Sequence, residues 1–460
     1  MTTQQRTTHW DVSQAAASLN ELAYFERASA HVIAGWLPKI PDMDLKVELA
    51  QHFYQHIDRA TQLRKRLTGL LRTDGVELPV RHGWQRILKR IDAASNLGSM
   101  FAGLYQVILP RIRNLYNQHT TSTAPVGDLP SIRLIAHLFT DVDTQCAWGM
   151  VVSRRFASTS DLQSFLHELE ILWESRSDGP DLTVSDALWQ PLDRVPIAAR
   201  SKDLVRCDPG SLGLLTADSV HDPRDVGIFL HSDLDEEYTT LELMARNSYE
   251  HPDMPWQFHV DMARQVSDEA RHALMISQLM ESRGFHYGDF PINIGSYDGL
   301  YQFEPCIPGS RKELLWRMLI RQTFMEGLAL DSLALEVKRR SAAGQHDIVR
   351  TLDFILRDEA FHVASGLRWS AHLLGDDRRA VLQERYESLT YFTKRAEALR
   401  AAFVENNVEK AMGELAIIEE GKRRRGGKPP ERTLNRKGRI QAGFSDDDIL
   451  QVLMWGYATE

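Results

Sequence analysis

The sequence predicts an all-α protein, and three observations carry that expectation. Apolar residues recur at helical spacing, with good helix formers between them, through 12–36, 44–72, 82–117, 130–153, 160–175, 234–249, 255–283, 311–340, 345–373 and 377–420. The alternating apolar and polar runs that a half-buried strand needs are missing. Two stretches 90 residues apart also read almost alike, Asp268-Glu269-Ala270-Arg271-His272 and Asp358-Glu359-Ala360-Phe361-His362, and each sits inside a helical stretch. A single Glu-x-x-His is common. Two of them, each paired with a helix carrying one more Glu, are how a four-helix bundle builds a carboxylate-bridged di-metal site.

At 460 residues the chain has room for two or three domains with buried cores. Its apolar fraction of 43% and charged fraction of 25% are those of an ordinary globular protein. No apolar run reaches the roughly 18 residues needed to span a bilayer. Met1 to Asp11 is polar and lacks the apolar centre of a signal peptide, so the cytoplasm is the expected compartment. Cys146, Cys207 and Cys306 are odd in number and far apart, which suits isolated reduced thiols better than a disulfide framework or a Cys-based zinc site.

Taken in order, residues 1–175 read as an N-terminal helical domain. The pattern then fails from 176 to 232, where Pro180, Pro191, Pro196, Pro209 and Pro223 stand among Gly and Asp, and a long irregular linker is expected. Residues 233–420 form the motif-bearing domain, interrupted by a second irregular stretch, Gly284 to Gly309, that contains Tyr287-Gly288-Asp289-Phe290-Pro291 and Tyr301-Gln302-Phe303. Residues 421–460 are a basic tail and a short helix. Between Gly421 and Ile440 stand nine basic residues (Lys422, Arg423, Arg424, Arg425, Lys428, Arg432, Arg436, Lys437, Arg439) against one acid, Glu431, although the net charge of the whole chain is −9. Without interleaved aromatic residues to stack on bases, a solvated tail is the preferred reading, and a nucleic-acid contact through 421–440 is the disfavoured one. Ser445-Asp446-Asp447-Asp448 then marks a helix start, with acids at the positive end of the helix that follows from Ile449 to Tyr457.

On a helix, residues three apart differ by about 60° in direction, so Glu269 and His272 share a face, as do Glu359 and His362. Glu326 lies 33 residues before Glu359, and Glu237 lies 32 residues before Glu269. That separation suits antiparallel helices joined by a short loop. The expected ligand set is therefore Glu237, Glu269, His272, Glu326, Glu359 and His362. Four carboxylates and two imidazoles hold two divalent cations about 3.5–4 Å apart, and the lack of thiolates favours iron or manganese over structural zinc. Glu242 and Asp331 follow Glu237 and Glu326 by five residues, which turns them about 140° away, so they are expected behind the ligands, orienting a histidine. Asp268, Asp358, Arg271 and Arg357 adjoin ligands and are expected beside them. Asp268 and Asp358 are also alternative ligands, as is Glu236 in place of Glu237.

These residues carry a resemblance. The segment from about 230 to 373 resembles the ferritin-like di-iron carboxylate superfamily. Its signs are Glu237 with Leu241-Glu242-Leu243, Asp268-Glu269-Ala270-Arg271-His272, the Tyr287-Gly288-Asp289-Phe290-Pro291 loop, Glu326 with Asp331, and Arg357-Asp358-Glu359-Ala360-Phe361-His362. It looks most like a bacterial branch labelled as a domain of unknown function, distantly akin to tRNA-hydroxylating di-iron enzymes. The resemblance implies a ferritin-like four-helix bundle and two iron ions, Fe/Fe first and Mn/Fe as the alternative. Superfamily members store iron, reduce peroxide, make radicals, hydroxylate or N-oxygenate.

The N-terminal half can be laid on the motif domain. With Asp42-Met43 on Asp253-Met254, Glu26 falls on Glu237, Asp58 on Glu269 and Thr61 on His272; further on, Val142 falls on Glu359 and Gln145 on His362. Residues 12–153 are thus expected to be a second, degenerate helical bundle without metal ligands. His52 and His56, four apart on one face, are expected to be solvated or at the edge of the core.

The expected function is a non-haem di-iron oxygenase or oxidase that activates O2 to hydroxylate or N-oxygenate a small molecule or a modified RNA. An external electron donor and a homodimer are expected with it, and no membrane. Two rivals remain at this level: a ferritin- or rubrerythrin-like protein handling iron or peroxide, and a non-enzymatic scaffold or RNA-binding protein that uses the basic tail.

Overall fold

The computed structural model describes residues 9–72, 78–156, 159–177, 181–183, 188–192, 195, 198–206, 219–293, 297, 303–406 and 434–454. Cys207, the expected helix beyond Asn406 and the basic run 421–433 lie outside the described residues. Among the described residues the chain is all-α apart from one pair of two-residue strands, and no helix is long and apolar enough to cross a membrane.

Two compact units divide the chain, and they are interleaved in sequence rather than split by a linker. One comprises Met1–Ile40, Glu48–Arg194 and Ser248–Arg264; the other comprises Pro41–Val47, Val195–Asn247 and Gln265–Glu460. The expected boundaries at 175 and 233 are therefore corrected. Hydropathy periodicity marks where helices run but not which unit each helix segment buries its face in.

The first unit is built on α1 (Val12–Trp36) and α2 (Met43–Leu71), then α3 (His82–Asp92), α4 (Leu97–Phe101), a π-helical stretch Ala102–Ile108, α5 (Leu109–Ser122), α6 (Leu129–Ser153) and α7 (Ser160–Glu174). Asp11 opens α1 through a reciprocal cap: its carboxylate accepts the Gln14 backbone N–H while the Gln14 side chain accepts the Asp11 N–H. The expected continuous helix 82–117 is instead broken, because Asn96 caps a new helix by accepting the Ser99 backbone N–H. The strands β1 (Val80–Arg81) and β2 (Asp181–Leu182) pair antiparallel, so part of the expected linker belongs to this unit's frame.

The second unit contains α8 (Pro223–Glu250) and α9 (Trp256–Glu281) as its first long helices, although their loop-proximal ends, from Ser248 to Arg264, cluster with the first unit. There follow α10 (Arg311–Arg317), a π-helical stretch Met318–Met325, α11 (Glu326–Ala342), α12 (His346–Leu373), α13 (Arg378–Asn406), α14 (Arg436–Gln441) and α15 (Asp446–Met454). Helix α8 starts eleven residues before the expected helix at 234. The reason is packing. Val226, Leu230 and Leu234, four apart, are buried with Ile276, Met280, Leu333, Leu352 and Ile355 in one cluster, and Pro223 is tolerated in the first turn. Close approach of α12 to the π-helical stretch depends on Gly366, where a Cβ would stand 2.7 Å from Gln322 Cβ.

Candidate metal centre

Helices α8, α9, α11 and α12 bring all six expected ligands together. Oxygen and nitrogen atoms of Glu237, Glu269, His272 and Glu359 lie within 4.8 Å of one another, and so do those of Glu269, Glu326 and His362. His272 Nδ1 stands 3.2 Å from both Glu237 Oε2 and Glu269 Oε2, and 3.9 Å from Glu359 Oε1. His362 Nδ1 stands 3.1 Å from Glu359 Oε2 and 3.4 Å from Glu269 Oε1. Each Glu-x-x-His glutamate thus turns one oxygen toward each histidine. Glu269 and Glu359 therefore lie between the two histidines, while Glu237 groups with His272 and Glu326 with His362. All except partly buried Glu237 are buried.

The acid before each glutamate reaches across to the opposite helix. His272 Nε2 donates to Asp358 Oδ2 at 3.1 Å, and His362 Nε2 stands 3.5 Å from Asp268 Oδ2. The outer nitrogen of each ring faces an aspartate and the inner Nδ1 faces the carboxylates, the orientation a metal-bound histidine needs. Asp268 and Asp358 therefore stand behind the histidines rather than replacing the glutamates. Arg271 Nη2 donates to both, at 2.9 Å to Asp268 Oδ1 and 2.6 Å to Asp358 Oδ2.

The expectation for Arg357 is corrected. Its side chain is 73% exposed and meets Asp353, away from the cluster. Glu242 and Asp331 are corrected too, since neither touches a histidine. Glu242 is buried between Lys46 and Arg200, the latter donating at 2.6 and 3.1 Å. Asp331 accepts from Arg439 and from the Asn435 backbone. A turn of about 140° carried both past the second layer and into neighbouring elements. Glu236 faces Arg321 Nη1 at 2.6 Å rather than the cluster.

Three polar residues at the site went unread in the sequence. Gln265 Nε2 donates to Glu269 Oε1 at 2.9 Å and to Glu326 Oε1 at 3.3 Å, and Gln322 Nε2 donates to Gln265 Oε1 at 2.5 Å. Arg321 Nε lies 3.4 Å from Glu326 Oε1. Gln265 was legible in principle, four residues before Glu269 on the same face. Arg321 and Gln322 were not, because the π-helical register changes which residues align with Glu326.

The electrostatics fit a cation pair. Burial, and then Glu269, push Glu237 well above the usual carboxylate range; burial and Glu359 do the same to Glu326. Burial opposes charge on the histidines, yet Glu237 raises His272 and Glu269 raises His362 well above the ordinary value. Burial likewise works against ionised Glu269, which His362 nevertheless holds low. Glu237 and Glu326, buried beside other carboxylates, hold protons when no metal offsets their charge.

Residues 166–414, more than half of the chain, match the family described as a protein of unknown function (DUF455). The chain belongs to that family. All six cluster residues fall within the matched range. A Haemophilus influenzae protein described as uncharacterized is 25% identical over 125 residues, covering 27% of this chain and 41% of the relative, so the match spans less than half of that protein. No solved structure matches.

Proposed function

We propose that this chain is a non-haem di-metal oxidoreductase of ferritin-like four-helix-bundle type. It would hold two iron ions, with Mn/Fe as the alternative, and use O2 to hydroxylate or N-oxygenate a small molecule or a modified RNA. The observation that supports this most is the crosswise pairing: two Glu-x-x-His helices whose glutamates each face both histidines, with one further glutamate at each end. When bound, the metals supply the chemistry of O2 activation.

The chain's own residues do the rest. Glu237, Glu269, His272, Glu326, Glu359 and His362 would hold the metals. Asp358 and Asp268 fix the imidazole rings, and Arg271 neutralises both aspartates. Buried Gln265 donates to Glu269 and Glu326 without adding charge, and Gln322 in turn donates to Gln265.

Anaerobic Fe(II) loading followed by exposure to O2 tests the reading. The expected result is about two iron ions per chain and a change in the optical spectrum on oxygenation, both lost in Glu269→Ala and His362→Ala. A wild-type chain that binds no metal, or variants that bind and react as the wild type does, would overturn it.

A further inference from the structure

The basic residues 436–439 read in sequence as the end of a solvated tail, but Arg439 is fully buried. Its Nη2 donates to Gly327 O at 2.7 Å and to Asp331 Oδ2 at 2.7 Å, and its Nε stands 3.2 Å from both Asp331 oxygens. Phe444 covers the guanidinium, 4.9 Å from ring centre to Cζ. Asn435 closes the arrangement: its backbone N–H donates to Asp331 Oδ1 at 2.7 Å and its side chain to Leu330 O at 3.1 Å.

The position of this clamp is what gives it meaning. Gly327 follows Glu326, the glutamate at one end of the cluster, and Glu326 begins α11 where the π-helical stretch ends. A Cβ at Gly327 would stand 2.7 Å from Arg439 Nη1, so the arginine occupies the space that a side chain there would fill. Ala442, Phe444, Ile449 and Val452 then cover Leu330 and Val363, the residue after His362. The segment 434–454 therefore backs Glu326 and His362, the two ligands of one end. Among the described residues, Glu237 and His272 at the other end have no such cover from it.

We infer that Arg439 is a positioning residue for the metal centre. Through Asp331 and the Gly327 carbonyl it fixes the backbone from which Glu326 projects, so the C-terminal segment controls one of the two metal positions. This rests on the proposed di-metal reading. A buried charge-assisted fork holds a backbone carbonyl more rigidly than apolar contact does, and loss of a group that orients a metal ligand typically weakens binding by about 10–100-fold.

The test compares the wild-type full chain with Arg439→Met and Arg439→Lys. Mn(II) and Fe(II) binding are followed anaerobically by calorimetry and elemental analysis, and hydrogen exchange of residues 318–331 is followed in the metal-free protein. Arg439→Met is expected to keep one tight metal, weaken the other by at least about 10-fold, and speed exchange in 318–331; Arg439→Lys is expected to recover part of both. If Arg439→Met does not fold, Asn435→Ala supplies the milder lesion with the same expected direction. Two equal wild-type affinities in a folded variant with unchanged exchange would overturn the inference. A wild-type chain that binds no metal would overturn the di-metal reading, and the exchange result then decides separately whether Arg439 holds that backbone.

Discussion

Both units place a glutamate midway along a long first helix, polar residues facing it from the second, a π-helical stretch in the third segment and a glycine against that stretch in the fourth. In the motif-bearing unit these are Glu237, the Glu269–His272 pair, Met318–Met325 and Gly366. In the N-terminal unit they are Glu26, the His56–Arg59 pair, Ala102–Ile108 and Gly149, where a Cβ would run into the Tyr105 ring. The contents of the two centres differ. Leu109 follows the N-terminal π-helical stretch where Glu326 follows the other, and Val142 and Gln145 stand where the alignment puts Glu359 and His362.

With one carboxylate left in that position, the N-terminal centre carries its own cation. Arg59 Nη2 lies 2.8 Å from Glu26 Oε2 and 2.9 Å from Gln145 Oε1; His56 Nδ1 is 2.5 Å from Glu26 Oε2, and Tyr116 donates to Glu26 Oε1 at 2.9 Å. All are buried, which corrects the expectation that His56 is solvated or at the core edge; His52 is buried too, against Tyr105 at 2.6 Å. A lone buried carboxylate can be neutralised by one guanidinium, whereas four cannot be by any side chain that fits among them. The same frame thus leads to a self-sufficient salt bridge in one unit and to a site suited to metal in the other.

The largest expected effect separates the centres by metal content. Glu269→Gln should cut bound iron from about two per chain to less than one, while Glu26→Gln combined with Arg59→Met should leave it unchanged. Elemental analysis of both proteins checks this, and iron loss in the N-terminal pair variant would break the comparison.

Next is stability. Arg59→Met alone leaves Glu26 buried and uncompensated and should destabilise the protein by about 3–5 kcal/mol; adding Glu26→Gln should restore most of it. Denaturant unfolding of the single and double variants measures the recovery.

The smallest effect is in pH, where both centres should strengthen as pH rises but in different ranges. Burial works against ionised Glu26, but Arg59 and His56 lower its pKa from 4.5 to about 2. The folded-state value lies below the unfolded one, so its contribution is present above about pH 4.5 and lost as pH falls toward 2. At the candidate metal centre, Glu237, Glu326, His272 and His362 hold protons more tightly than usual, and a bound metal would have to displace them. Affinity for Mn(II) should therefore rise with pH through the neutral range, with proton release visible as a buffer-dependent binding enthalpy.

Much of this was legible in the sequence for a plain reason. A ligand pair three residues apart on a helix is a local feature, and the duplicated Glu-x-x-His with a glutamate some 32 residues upstream needs only helical geometry to be read. Arg357 shows the limit of nearness in sequence, since two residues before Glu359 on a helix a side chain points about 160° away from it. Gln322 and Arg321 show another limit: they reach the cluster through a π-helical register that the 3.6-residue period does not describe.

By itself, the sequence determined the helical class, the helix faces and the identity of the six clustered side chains, because each follows from the period of one helix. The tertiary structure decided which carboxylates face both histidines and which face one, that Arg59 serves the N-terminal glutamate, and that Arg439 leaves a basic run to lie buried behind Glu326. Those are pairings between residues as much as 112 positions apart. They depend on how packed helices bring charge to charge in a site that water cannot screen.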